Sequence, residues 1–208
     1  MLLVLTGMIC MGLGVGYYFA DYYRTAAHPD VPGLLWPEPK QLRAFATIDQ
    51  TGQVFGLDRL QGKWSFLFFG YTHCPDVCPL TLKVLADLGR DLQGTAAGGD
   101  TQVVFITVDP DRDTAEQLGQ YVGYFDPRFI GLGGTIAQVE SLASQIGAVF
   151  MYGEKSATGD YIVDHTASIF LIDPQGRVVA VFAAPHQVDS IRDRYRMIRN
   201  FIDHQTPT

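Results

Sequence analysis

The chain has 208 residues, a length that accommodates either one domain of ordinary size together with an additional segment or two small domains. Hydrophobic residues make up 47% and charged residues 18% of the sequence, a balance typical of globular proteins with an apolar excess. The formal net charge of -7 argues against sequence-independent binding of nucleic acid, which needs many basic contacts to phosphate. We therefore expect no nucleic-acid partner.

The apolar excess lies at the N-terminus and predicts a membrane anchor. Residues 2–20 contain no charged residue, and a helix of that length spans about 28 Å, close to the ~30 Å hydrocarbon core of a bilayer. A cleaved signal peptide is the alternative, but no basic residue precedes the apolar run and Tyr18 occupies the -3 position for cleavage after Ala20. We expect residues 1–20 to be a retained transmembrane helix. Arg24 weakly places the following side in the cytoplasm.

Residues 21–42 contain prolines at four positions and little apolar periodicity, so we expect a Pro-rich, semi-extended linker. The domain itself is expected to occupy residues 43–208. Strands and helices alternate along it, and two of the strands are continuous apolar runs, as in sheets buried on both faces. This order predicts an α/β fold with a thioredoxin-like mixed sheet, flanked by helices and carrying an N-terminal β-hairpin.

The predicted elements follow from apolar periodicity, turn residues and helix caps. In chain order they are a hairpin at 45–57, a strand at 64–70, a helix at 76–93, a strand at 102–108, a helix ending near 124, a strand at 129–132, a helix at 136–146, an extended segment at 148–152, a hairpin formed by 168–172 and 177–182, and a closing helix around 191–202.

The closing helix carries two stripes of side chains at helical spacing. Arg192, Arg196 and Arg199 form a basic stripe, and an apolar stripe runs from Ile191 to Ile202. We expect the apolar stripe to be buried and the basic stripe to face solvent, with docking to a partner as an alternative role.

Cys74 and Cys78 lie where the strand at 64–70 turns into a helix. Their spacing places them one helical turn apart on one face, with Asp76 as the expected N-cap. The positive end of the helix dipole favours thiolate over thiol at this position. The glycine and prolines around the pair argue against two cysteines that only fill space in the core, and against a static structural disulfide.

Two thiolates one turn apart either close to a disulfide or hold one soft cation. Zinc requires four ligands, whereas Cu(I) accepts two or three soft ligands and suits a Cys₂His set. His165, just ahead of the strand at 168–172, is the leading histidine, because that loop faces the cysteine turn in a thioredoxin-like sheet. A core or capping role for His165 stays open at this point. His73 and His186 are weaker candidates.

The pair also suits thiol–disulfide exchange, with Cys74 attacking a target disulfide and Cys78 resolving the mixed disulfide. The three-residue spacing differs from the two-residue spacing of thioredoxin, and no proline follows His165 directly. Both differences disfavour thioredoxin itself without excluding redox chemistry.

Four segments, in this order, resemble the Sco/SenC family: G-Y-T-H-C-P-D-V-C-P, V-D-P-D-R-D-T, Y-F-D-P-R-F-I-G-L-G-G and Y-I-V-D-H-T-A-S-I-F-L-I-D-P-Q-G-R. The resemblance covers roughly residue 42 to the C-terminus. It implies a membrane-anchored, thioredoxin-like domain that faces the periplasm, or the intermembrane space in mitochondria, and so opposes the orientation that Arg24 suggests.

The resemblance also implies a role in assembling the binuclear copper centre of cytochrome c oxidase. The oxidase's copper-site subunit is the implied partner, and a periplasmic copper donor is a further candidate. Carried over by position, Cys74, Cys78 and His165 become ligands of Cu(I), with Cu(II) as a second oxidation state. Asp164 matches the family's acidic neighbour and either orients the site or is a solvated loop carboxylate.

The resemblance leaves the enzymatic character of the protein open. A metallochaperone is the primary expectation. The alternatives are a thiol–disulfide oxidoreductase acting on the oxidase copper-site cysteines, and a redox or copper sensor.

Overall fold

The computed structural model describes residues 14–17, 30–35 and 38–205. Residues 14–17 are helical. Within the described part of the chain, no helix combines the length and the apolar character needed to cross a bilayer. The predicted anchor at residues 1–20 and the first part of the linker lie almost entirely outside the described residues.

A mixed sheet with helices on both faces forms the domain. Its eight strands follow the spatial order β1-β10-β9-β4-β5-β6-β2-β3, while β7 and β8 form a separate two-stranded ribbon. The strands are β1 (Lys40–Gln41), β2 (Ala46–Asp49), β3 (Val54–Gly56), β4 (Trp64–Gly70), β5 (Thr101–Thr107), β6 (Ile130–Gly133), β7 (Phe150–Tyr152), β8 (Val163–His165), β9 (Ile169–Ile172) and β10 (Arg177–Phe182). The helices are α1 (Val77–Leu92), α2 (Ala96–Gly99), α3 (Ala115–Phe125), α4 (Ile136–Ile146) and α5 (Val188–Gln205), with a 3₁₀ turn at Leu57–Arg59.

The predicted α/β fold with a mixed sheet and an N-terminal hairpin is confirmed. β4 runs parallel to β5, and β5 runs parallel to β6. β9 runs antiparallel to both β4 and β10, and β2 pairs with β3 as the predicted hairpin.

β4 is the central strand of the sheet, and all seven of its residues are buried. Since successive side chains of a strand point to opposite faces, Phe66 and Phe68 enter the core beneath α1 and α5. Leu67 and Phe69 enter the second core, beneath α4. Burial on both faces explains why the strand reads as a continuous apolar run.

Two of the helices begin with capping boxes. Thr114 and Gln117 form one at the start of α3, and Thr135 and Gln138 form the other at the start of α4. In each box the threonine oxygen accepts a backbone N–H that the helix leaves unpaired, while the glutamine side chain reaches back to the cap. The prediction for α4 is confirmed at both ends, and the helix stops where Gly147 adopts a φ of 94°.

The final helix differs from its prediction on the basic side. Its apolar stripe is buried as expected, but Arg199 makes two 2.6 Å bonds to the carboxylate of Asp100. Arg192 donates to Asp91 of α1 at 3.0 Å. The prediction of a solvated basic stripe is wrong for these two arginines, because both fasten α5 to the rest of the domain. Arg196 alone of the three is exposed.

Candidate metal centre

The cysteine turn links the end of β4 to the start of α1. Cys74 donates its backbone N–H to the carbonyl oxygen of Tyr71 at 3.2 Å, and α1 begins three residues later. Asp76 occupies the N-cap position as predicted, but its side chain makes no capping bond. Cys74 is partly exposed, Cys78 in the first helical turn is fully buried, and both are free thiols.

Gly70 allows the buried sulfur to lie close to the backbone of β4. A Cβ atom at this position would lie 2.7 Å from Cys78 Sγ and 2.7 Å from a ring carbon of Phe105. Both distances are far shorter than a normal contact, so only glycine leaves this space for the sulfur.

His165 meets the cysteines from the two-stranded ribbon. Its Nε2 atom lies 3.4 Å from Cys78 Sγ, and the ligand atoms of Cys74, Cys78 and His165 all lie within 4.8 Å of one another. This trio is the one convergent group of three or more Cys, His, Asp or Glu side chains within the described ranges. The structure thus brings together all three residues that the sequence singled out as ligands.

The ring of His165 is held in a definite orientation. Its Nδ1 atom lies 3.2 Å from the carbonyl oxygen of Thr166. Because a carbonyl only accepts, the ring hydrogen of the neutral form belongs on Nδ1, which leaves the Nε2 lone pair facing the sulfurs. Phe68 and Tyr71 contact the ring edge-on, with centroids 5.9 and 6.0 Å away.

The two thiols differ in acidity. A hydrogen bond from the Cys78 thiol lowers the pKa of Cys74 to about 4, against the opposing effect of burial. The contact with the His165 ring lowers the pKa of Cys74 further, and the backbone N–H groups of Asp76 and Cys78 stabilise the same thiolate. Sharing its proton with Cys74, together with burial, raises the pKa of Cys78. At pH 7 the metal-free pair therefore carries its negative charge on Cys74 rather than on Cys78.

Asp164 lies beside His165 on β8 but is exposed, whereas His165 is half-buried. It pairs across the ribbon with Met151. Because neighbouring residues of a strand point to opposite faces, the Asp164 carboxylate lies on the face of the ribbon opposite to the one that carries the His165 ring. Its orienting role stays a prediction.

The other candidate histidines lie outside the group. His73 is exposed, and its Nδ1 atom lies 3.1 Å from Thr72 Oγ1. His186 lies with Nε2 2.8 Å from the carbonyl oxygen of Ala167, which fixes the chain just after the ribbon. Burial lowers the pKa of His186, so this histidine is neutral at pH 7.

Sequence reasoning missed the residues that hold the cysteine turn. Asp113 is buried and accepts hydrogen bonds from the backbone N–H of Thr72 at 2.9 Å and from its hydroxyl at 2.5 Å. It also accepts from Thr107 Oγ1 at 2.5 Å. The segment V-D-P-D-R-D-T was the available signal, but it does not indicate which carboxylate turns inward.

The family model described as SCO1/SenC matches residues 37–200. The chain belongs to the SCO1/SenC family. The protein of Bos taurus named "Protein SCO2 homolog, mitochondrial" is 36% identical over 152 residues, which is 73% of this chain and 57% of that protein. A protein of Stutzerimonas stutzeri named for copper binding is 34% identical over 172 residues, which is 83% of this chain and 82% of that protein.

Solved structures of SCO1/SenC proteins share the fold. The crystal structure of Arabidopsis thaliana ScoI with copper bound superposes with a TM-score of 0.69 at 37% identity, covering 76% of this chain and 98% of that chain. The thioredoxin-like prediction is thereby confirmed for the domain of this SCO1/SenC protein. The chain spans little more than half the length of the bovine relative.

Proposed function

We propose that this SCO1/SenC protein binds copper through Cys74, Cys78 and His165 and delivers it to the binuclear copper centre of cytochrome c oxidase. The observation that carries the proposal is the convergence of two sulfurs and one imidazole nitrogen within 4.8 Å of one another. A relative supports the same proposal, since the crystal structure of Arabidopsis thaliana ScoI, at 37% identity, has copper bound.

The donor set fits Cu(I) better than other common metals. Thiolate and imidazole are soft or borderline ligands, and Cu(I) is stable with two or three of them. A structural zinc site needs four ligands, and the described part of the chain brings only three Cys, His, Asp or Glu side chains together here. Cu(II) is the second oxidation state that an imidazole ligand supports.

Unequal exposure of the ligands suits release by ligand exchange. Cys78 is fully buried and His165 is half-buried, whereas Cys74 reaches the surface. A partner thiolate therefore reaches the site from the side of Cys74, and Cys78 and His165 hold the ion until the exchange is under way.

The location and the partner belong to the same proposal. We place the domain on the periplasmic side of a membrane, or in the intermembrane space, held by an anchor at residues 1–20 and by the part of the predicted linker at 21–42 that precedes β1 (Lys40–Gln41). The mitochondrial name of the bovine relative supports a compartment outside the cytosol. The copper-site subunit of the oxidase is the partner that the family resemblance implies, with a periplasmic copper donor as a second one.

Copper titration of the purified protein against a Cu(I) chelator tests the ligand set. We expect His165→Ala to weaken binding about 10-fold or more, because a three-coordinate site loses one ligand. His73→Ala is the matched control, since His73 is exposed and outside the convergent group. Unchanged affinity in His165→Ala would remove the imidazole from the site.

The unequal pKa values favour a second activity at the same residues. We propose that the reduced pair also reduces a disulfide in the oxidase subunit. The Cys74 thiolate attacks one sulfur of the target disulfide, which forms a mixed disulfide and releases one target thiolate. Cys78 then gives up its proton and attacks Cys74 Sγ, which releases the second target thiolate and leaves a Cys74–Cys78 disulfide. Two electrons pass to the target.

Trapping experiments separate the two activities. Cys78→Ala lacks the resolving thiol and is expected to accumulate mixed disulfides with the target through Cys74. Cys74→Ala is the control and is expected to trap far less, because Cys78 is buried and its pKa is raised. Equal trapping by the two variants, or none by either, would leave copper binding as the activity of this site.

A further inference from the structure

The ribbon that carries His165 is not part of the main sheet. β7 and β8 pair only with each other in the described sheet topology. The backbone bonds next to the strands, from Gly153 to Ile162 and from Thr166 to Val149, also stay within the ribbon. Besides the chain that continues into β9, side-chain contacts therefore help to fix the distance between His165 and the cysteine sulfurs.

Two tyrosine hydroxyls fasten the ribbon to the segment that follows β5. Tyr152 donates to the carbonyl oxygen of Val108 at 2.7 Å. Tyr161, four residues before His165, donates to Asp109 Oδ1 at 2.7 Å. The second bond is the stronger type, because its acceptor is a carboxylate with no solvent exposure.

Arg112 completes this attachment. Its guanidinium forms an ion pair with Asp109 and lies 3.6 Å from the centroid of the Tyr161 ring, a cation–π arrangement. Tyr161 is thus held by its hydroxyl and by its ring face at once. The same guanidinium lies 5.7 Å from the ring centroid of Tyr71, which in turn contacts His165.

The segment that receives the ribbon also holds the cysteine turn. Asp113 binds Thr72, two residues before Cys74. Residues 108–113 are therefore attached to the histidine ribbon at one end and to the cysteine turn at the other. A shift of either attachment changes the separation between the imidazole and the two sulfurs.

We propose that Tyr161 is a positioning residue, which sets the place of His165 relative to Cys74 and Cys78 through its contacts with Asp109 and Arg112. The inference deepens the copper proposal above and rests on it wherever copper affinity is the readout. Tyr161 is not one of the three convergent side chains and acts through its attachment of the ribbon.

The first test needs no metal. Tyr161→Phe removes the hydroxyl and keeps the ring over Arg112, so we expect amide hydrogen exchange of residues 150–152 and 163–165 to become about 10-fold faster, as for the loss of one hydrogen bond to a charged acceptor. Tyr195→Phe is the matched control, because that buried hydroxyl also bonds to a neighbour, Thr101, at 2.7 Å. The control is expected to leave exchange in the ribbon unchanged.

The second test uses Cu(I) and a double-mutant cycle. Tyr161→Phe is expected to weaken binding about 10-fold, as for partners that orient a ligand. If Tyr161 acts through His165, adding Tyr161→Phe to His165→Ala has no further effect. A purely structural role would instead weaken both backgrounds equally.

The outcomes separate this proposal from the copper proposal. Unchanged exchange in the ribbon of Tyr161→Phe, or additive losses in the cycle, would overturn the positioning role. Absence of copper binding by the unmodified protein would overturn the copper proposal, and the exchange measurement alone would then decide the role of Tyr161.

Discussion

At the scale of single residues, the site works through the difference between two otherwise similar thiols. Cys74 lies at the surface end of the turn and receives donors from Cys78 and from backbone N–H groups. Cys78 is enclosed by the core and acts as a donor itself. Burial and hydrogen bonding set this difference, so the spacing of the two cysteines in the sequence cannot predict it.

The difference predicts which thiol reacts and at what pH. The pKa of Cys74 is lowered to about 4, so its thiolate is present above that pH and is lost as the pH falls through it. In the reduced, metal-free protein we expect iodoacetamide to modify Cys74 at pH 6 and to leave Cys78 unmodified. Mass spectrometry of the labelled peptides across pH 3 to 10 measures both. Equal labelling, or a midpoint near that of an ordinary thiol at about 8.5, would contradict the prediction.

Gly70 is the residue at which a single methyl group tests the packing of the site. In Gly70→Ala the new Cβ would meet Cys78 Sγ and Phe105 at 2.7 Å, so the sulfur or the ring must move. We expect a loss of about 1–3 kcal/mol in the free energy of unfolding, as for other overpacked cores, together with weaker Cu(I) binding. Urea denaturation and chelator competition measure the two effects.

Gly123 in α3 is the matched control, because nothing lies within 4 Å of a Cβ built there. Gly123→Ala should keep its copper affinity and gain about 0.5–1 kcal/mol from improved helix propensity. Wild-type stability and affinity in Gly70→Ala would show that the sulfur is not confined as the structure describes.

At the scale of elements, local signals predicted the long segments and failed for the short ones. Thr135 and the spacing of apolar residues after it predicted α4, because cap and periodicity are encoded within one helix. β8 was missed, since three residues with an exposed Asp164 at the centre have no strand pattern of their own. Its pairing with β7 is a tertiary contact that local reasoning does not reach.

The basic side of α5 differs most from what the sequence predicted, because two of its arginines attach the helix to the rest of the domain. Arg199→Ala removes the paired bonds to Asp100 and leaves a carboxylate that is only partly exposed. We expect a loss of about 1–3 kcal/mol in the free energy of unfolding with unchanged Cu(I) affinity. Arg196→Ala is the control and should change neither quantity, because Arg196 is exposed. Equal stability of the two variants would show that Arg199, like Arg196, belongs to a solvated basic stripe and does not attach α5 to the domain.

At the scale of the whole molecule, topology explains why the three ligands meet. β4 and β5 are parallel, so the cysteine turn after Gly70 and the segment after Thr107 lie at the same edge of the sheet. β9 is antiparallel to β4, and Ile169 pairs with Phe68, so the chain just before β9 reaches that edge too. His165 therefore arrives beside Cys78 from 87 residues away.

The sequence predicted the ligands through family resemblance and the fold through periodicity, but not the contacts that set the ligand geometry. Asp113 and Tyr161 act across 41 and 52 residues of chain, and neither distance leaves a local pattern. Both are tertiary contacts between segments that only the folded sheet brings together.

The central claim is that Cys74, Cys78 and His165 together bind copper. Copper K-edge X-ray absorption of the reduced, copper-loaded protein tests it most directly, because it counts the sulfur and nitrogen neighbours of the ion. We predict one Cu(I) per chain with two sulfur neighbours and one nitrogen neighbour, and loss of the nitrogen neighbour in His165→Ala. A site with the same nitrogen neighbour in that variant, or a protein that retains no copper, would contradict the account.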